Sequence, residues 1–131
     1  MKRDMDLVRK ILLKIEEEQN VFPLMNIEID GYDMATVNYH CKLLYEAGLI
    51  SGYKASMSMS GLDGFEVDSL TWEGNDFLDK IRDNSIWHKT KDAITKKGLP
   101  LMIDTIKTVA NAFITAAAEG VANSILKNGG A

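Results

Sequence analysis

Tyr39-His40-Cys41-Lys42-Leu43-Leu44-Tyr45-Glu46-Ala47-Gly48-Leu49-Ile50, followed about twenty residues on by Leu70-Thr71-Trp72-Glu73-Gly74, is the stretch that decides the fold. It reads as the back half of a helix, a glycine stop, and an apolar pair that packs on the helix end. Tyr53, Ala55, Met57 and Met59 then alternate with Lys54, Ser56 and Ser58, which predicts a half-buried strand over residues 51–59. Ser60-Gly61-Leu62-Asp63-Gly64 reads as the turn, and Phe65 and Val67 begin a return strand ending near Trp72. The apolar phase slips between Val67 and Leu70, so a bulge is expected there.

Working outward, Met5, Val8, Ile11, Leu12 and Ile15 recur at helical spacing, which predicts a first helix over residues 4–19 with Asp4 as its cap. Pro23 stops any continuation. Asn26-Ile27-Glu28-Ile29-Asp30-Gly31 alternates with period two and reads as a short strand. The helix of the deciding stretch begins near Asp33, its cap, with Met34, Val37, Cys41 and Leu44 on one face. Beyond Glu73 the period is helical again, with Phe77, Leu78 and Ile81 on one side. A break at Asp83-Asn84-Ser85 leads to a helix over residues 86–97 closed by Gly98. Pro100 suits the first turn of a last helix that runs to about Lys127, leaving Gly129-Gly130-Ala131 loose. Trp72-Glu73-Gly74 and Phe77-Leu78 are expected to anchor the strand-to-helix junction in the core, with Trp87 in a similar role.

The 131 residues are 46 % apolar and 26 % charged, the composition of a soluble globular chain of one domain with an added arm. The net charge of −4 and pI near 5.1 oppose indiscriminate binding to a polyanion. Cys41 is the single cysteine, so no internal disulfide forms. Acids interrupt the first six residues where a signal peptide needs an apolar core, and the uncharged run 108–118 is shorter than a bilayer span. A cytoplasmic protein that does not engage membrane is therefore expected.

The Tyr39–Ile50 run resembles the recognition-helix end of winged-helix regulators, with Cys41 where that pattern carries a leucine. The resemblance covers residues 33–72 and implies that Asn38, Tyr39 and Lys42 are exposed toward base edges or phosphates. Asn and Lys have the chemistry for such contacts. Two departures stand beside it: the span from Asn20 to Tyr32 leaves no room for a supporting helix, and the wing turn lacks Arg. Seven acids (Asp63, Glu66, Asp68, Glu73, Asp76, Asp79, Asp83) face only Lys80 and Arg82 across residues 61–83. Three separated segments, MKRDMDLVRKILLKIEE, HCKLLYEAGLI and LTWEGNDFLDKIRDNSIW, together resemble a family of uncharacterised bacterial and phage proteins, a domain of unknown function. That resemblance implies a winged-helix-like fold and residence on mobile elements; it brings no catalytic residue, and the last helix lies outside it.

Two histidines and one thiol supply neither a zinc set nor a cysteine-nucleophile signature, and no phosphate-cradling glycine loop is present. His40 and Cys41 are neighbours on a helix and diverge by about 100°. No enzyme, cofactor or metal site is expected. The last helix carries a broad apolar stripe in which Ile106, Val109, Phe113, Ala116, Ala117, Gly120 and Val121 are the candidates for self-association. At about 39 Å it is longer than a small domain can cover.

The sequence reading is thus α+β: a winged-helix-like domain with trailing helices over residues 1–97, and an oligomerisation arm over 98–131 that makes a homodimer or higher oligomer. The first functional expectation is a DNA-binding accessory or transcription regulator of a mobile element. In it Asn38, Tyr39 and Lys42 would meet the groove, Lys54 would be a further nucleic-acid-binding residue, and Lys2, Arg3, Arg9 and Lys10 would meet phosphates. The alternative is a protein-interaction module, a modulator of a host protein that uses the acidic surface.

Overall fold

The computed structural model describes residues 1–129; of the tail expected to be loose, Gly130 and Ala131 lie outside the described residues. The fold is α+β, with five helices and one three-stranded antiparallel sheet among the described residues. The chain divides into two compact units, Met1–Leu78 and Asp79–Ala131, each described by itself below. The expected arm over residues 98–131 lies inside the second of them.

In the first unit, α1 (Met5–Glu18) starts where Asp4 Oδ1 accepts the amides of Asp6 at 2.9 Å and Leu7 at 3.1 Å. Its apolar face, Leu7, Ile11, Leu12 and Ile15, is fully buried. α2 (Met34–Glu46) is capped by Asp33, whose carboxylate accepts the Thr36 amide at 2.8 Å. The Thr36 hydroxyl first, and then that amide, hold the Asp33 carboxyl below the usual carboxylate range. α2 stops at Gly48, in the left-handed region at φ 75°, where its amide donates to Tyr45 O and that of Leu49 to Leu44 O. Val37, Cys41 and Leu44 bury against α1 and the sheet.

The sheet consists of β1 (Leu24–Met25), β2 (Tyr53–Ser58) and β3 (Gly61–Val67) in the order β1-β3-β2. Leu24 and Tyr53 both face Val67 across the ladder, and Ala55 faces Phe65. Four details correct the sequence reading. The segment Asn26–Gly31 is not a strand: Asn26 turns to φ 48° and leaves the ladder, while Ile27 and Ile29 are still buried. The Asn26 amide makes the last cross-strand bond, to Phe65 O at 2.9 Å, and the alternation past it records burial without a ladder. The hairpin turns at Met59-Ser60, and β3 already begins at Gly61, whose φ of 114° lets the chain reverse. The register shift lies between Ser56 and Met57, opposite the extra residue Asp63. Past Val67 pairing continues regularly to a single bridge between Ile50 and Leu70. Finally, β2 beyond Tyr53 is exposed, Met57 to 67 %, because the hairpin extends past the core that its alternation was expected to face.

α3 (Trp72–Ile81) begins where the Thr71 hydroxyl accepts the Gly74 amide at 3.0 Å and donates to Gly48 O at 2.5 Å. Phe77 and Leu78 are buried as expected, but Trp72 is 86 % exposed and anchors nothing. The anchor of that junction is Gly74: a Cβ there would stand 2.0 Å from the Leu49 carbonyl oxygen, so only glycine lets α3 approach. In the second unit, α4 (Asn84–Lys96), capped by Asp83, packs against α5 (Ile103–Gly129). Trp87, at 2 % exposure, and Ile94 are buried on α4, and Ile106 and Ala110 on α5. Pro100 precedes α5 instead of opening it.

Gly74→Ala drives a methyl into backbone and is expected to cost about 2–3 kcal/mol in urea unfolding. A loss below about 0.5 kcal/mol contradicts the close approach.

Candidate functional site

The surface of interest is the solvent side of α2 with the hairpin beside it. α2 is held from below by a buried histidine. His40 Nε2 accepts the Asp4 amide at 2.8 Å, so its Nδ1 carries the proton and donates to Thr36 O at 2.8 Å. The same Asp4 accepts the Tyr32 hydroxyl on Oδ2 at 3.0 Å. Burial, followed by that bond to the carboxylate, raises the Tyr32 phenol above its ordinary range. Lys10 lies over the Tyr32 ring, 5.6 Å from its centre. Asp4, Tyr32 and His40 were not singled out as a group in the sequence, because 28 and 36 residues separate the partners.

Of the residues expected to meet DNA, Asn38 and Tyr39 are engaged with neighbours in the fold. Asn38 is half-buried, and its Oδ1 accepts the Tyr53 hydroxyl at 2.6 Å. Burial raises the Tyr53 phenol and its bond to Asn38 lowers it, the first effect being larger. Tyr39 is half-buried and stands edge-on to His40 at 5.7 Å. Lys42 is exposed, 4.0 Å from Glu46 one turn on. Lys54 is exposed and sits across from Glu66 in the ladder. Arg3 is exposed ahead of Asp4, Arg9 is half-buried on α1, and Lys10 is on Tyr32. The structure gathers Asn38, Tyr39 and Lys42 on α2 and leaves the α1 cations on a different helix.

Charge is divided sharply. Residues 1–78 hold seven Lys and Arg against fourteen Asp and Glu, a net of −7, and residues 79–131 hold eight against five, a net of +3. The outer sheet face carries a shallow groove of about 450 Å³ between Met25, Asn26, Lys54, Gly64 and Glu66. Among the described residues no group of three His, Cys, Asp or Glu could hold a metal ion.

Residues 2–100 match the model of a family described as "Hypothetical protein (DUF2513)". The chain belongs to that family. A Haemophilus influenzae protein named "Uncharacterized protein" is 42 % identical to the chain over 118 residues, covering 88 % of this chain and 97 % of its own. The expectation of an uncharacterised domain-of-unknown-function family therefore holds. No solved structure matches the chain. The DUF2513 match ends before α5 begins.

On α5 the residues expected to self-associate fall into two sets. Ile106 is buried, Val109 and Phe113 are half-buried, and Ala116, Ala117, Gly120 and Val121 are exposed.

Cys41 lies on the buried face of α2, where burial pushes its thiol up to about 12. It is expected to resist a thiol reagent at pH 8 until the chain unfolds. The thiolate of an unfolded cysteine forms near pH 8.5 and the native one near 12, so this group costs no stability below pH 8.5. Stability should fall progressively between those values. Cys41→Ala should flatten that decline, and rapid labelling of the native chain at pH 8 contradicts the burial.

Proposed function

We propose that the N-terminal unit of this DUF2513 chain is a winged-helix-like module that docks a protein segment bearing Lys or Arg. The winged-helix-like assignment rests on topology: β1 precedes α2, the β2–β3 hairpin follows it, and the sheet order is β1-β3-β2 with α2 against the hairpin. A usual helix-turn-helix carries a supporting helix ahead of the recognition helix. In its place Asn26–Tyr32 is a loop pinned by Ile27 and Ile29, which explains the short connection without a third helix.

The observation that carries the docking reading is Trp72, 86 % exposed at the first turn of α3 with Glu73 and Asp76 beside it in sequence. An indole face attracts guanidinium and ammonium groups, and tryptophan is enriched among residues that dominate protein interfaces. A unit of net −7 steers a cationic segment toward itself and repels a phosphate backbone. Glu46 lies 4.0 Å from Lys42 and Glu66 faces Lys54 across the ladder, so each of these cations has an acid beside it that repels a polyanion.

The second reading is the DNA-binding regulator of a mobile element, with Asn38, Tyr39 and Lys42 toward the groove. It is favoured by the winged topology itself and by the net +3 of the second unit, where Lys89, Lys96 and Lys97 are exposed.

Trp72 alone answers to an aqueous quencher, since Trp87 is 2 % exposed. Titration with a short Arg-rich peptide at low salt is expected to shift Trp72 emission to the blue and protect it from iodide. Trp72→Ala should weaken the peptide about tenfold or more. Duplex DNA that binds with an affinity falling steeply in salt, while the peptide leaves the emission unchanged, decides for the DNA reading.

A further inference from the structure

The apolar stripe of α5 runs on past the helix that covers it. α4 has 13 residues and α5 has 27, so at 1.5 Å per residue α4 spans about 20 Å of a helix about 40 Å long. The covered part is where Ile106 and Ala110 are buried and Phe113 and Ile114 half-buried. From Thr115 to Asn128 every residue is exposed, Val121 to 60 %, Ile125 to 64 % and Leu126 to 71 %. Ile114, Ala117, Val121 and Ile125 succeed one another at three- and four-residue spacing, in line with the covered part. Along another side Asn111, Thr115, Glu119, Asn123 and Lys127 recur every fourth residue as a continuous polar ridge.

We infer that a second copy of this chain covers that overhang, stripe against stripe, centred on Ala117, Val121 and Ile125. Four features select this occupant. By length and a mean hydropathy of 1.2, Ile103–Asn128 is long and apolar enough to cross a membrane. The polar ridge, with Glu119 at its middle, would then face hydrocarbon along its length, whereas a helix pair in water leaves it solvated. A helix lying in the lipid interface needs cations flanking its apolar side, and between Lys107 and Lys127 there is none. Charge points the same way: Glu119 is the only charged side chain between those two lysines and it lies on the ridge, so a like-with-like contact brings no repulsion into the seam. Area closes the argument. Two overhangs of about 21 Å remove roughly 1,000 Å² in total, about the area a biological contact must clear and short of the roughly 1,200 Å² at which stable specific contacts begin, as suits a weak dimer. The pairing surface thus differs from the sequence expectation at Ile106, which α4 already occupies. This inference stands independently of whether the first unit grips protein or DNA.

Sedimentation velocity on the full chain tests it. The expected mass is twice the 14.6 kDa monomer, with dissociation in the micromolar range. V121D/I125D should sediment as a monomer with unchanged helical circular dichroism, its self-affinity lowered at least about 30-fold. N123A, on the ridge, should leave the dimer intact. A wild-type chain that stays monomeric at about 100 µM overturns the inference. So does a dimer unmoved by V121D/I125D, a dimer lost equally in N123A, or a monomer that floats with neutral lipid vesicles.

Discussion

One residue, Asp4, ties the first unit together. Its carboxylate caps α1 through the amides of Asp6 and Leu7 and receives the Tyr32 hydroxyl, while its own amide donates to the buried ring of His40 on α2. Each of these groups would otherwise carry an unmet hydrogen bond into a partly buried position, at a cost of about 1–3 kcal/mol apiece. Because the other ring nitrogen of His40 donates to Thr36 O one turn back on the same helix, the ring is locked in one tautomer, and α2 cannot rotate about its axis without breaking the bond from the Asp4 amide. The solvent side of α2, and the hairpin that Tyr53 ties to Asn38, take their orientation from that lock.

The surface so presented is unlike a phosphate-binding one in its electrostatics. Acids outnumber bases two to one in the first unit, and the excess of bases falls in the second. An exposed indole, a hairpin with exposed Met57 and Met59, and cations already facing carboxylates make a surface suited to a cationic protein segment. The winged topology is compatible with either ligand class, since fold alone does not assign function. What separates them is the sign and distribution of charge.

Much of the architecture was legible in the sequence where local chemistry sets it. Asp4 and Asp33 cap their helices, Gly48 and Gly98 close theirs, and the apolar periods of α1 and α3 match the buried faces. The misreadings arise where a local pattern serves a non-local purpose. The alternation at Ile27 and Ile29 is burial without a ladder, because Asn26 leaves the strand and spends its side-chain oxygen on the Phe65 amide at 2.8 Å. Alternation at Met57 and Met59 predicts half-burial, yet both are exposed because the hairpin outreaches the core. In Trp72-Glu73-Gly74 the large residue drew the inference while the small one makes the contact, since a missing Cβ leaves no signal in hydropathy. His40 looked like an unremarkable polar neighbour of Cys41; its partner is 36 residues away, and no spacing rule reaches that far.

Nitrogen-15 NMR of the imidazole of His40 at neutral pH tests the lock most directly. The account predicts a proton on Nδ1, an unprotonated Nε2 coupled by a hydrogen bond to the Asp4 amide, and slow exchange of that amide. A proton found on Nε2, or an Asp4 amide that exchanges as fast as the Lys2 and Arg3 amides before it, contradicts it.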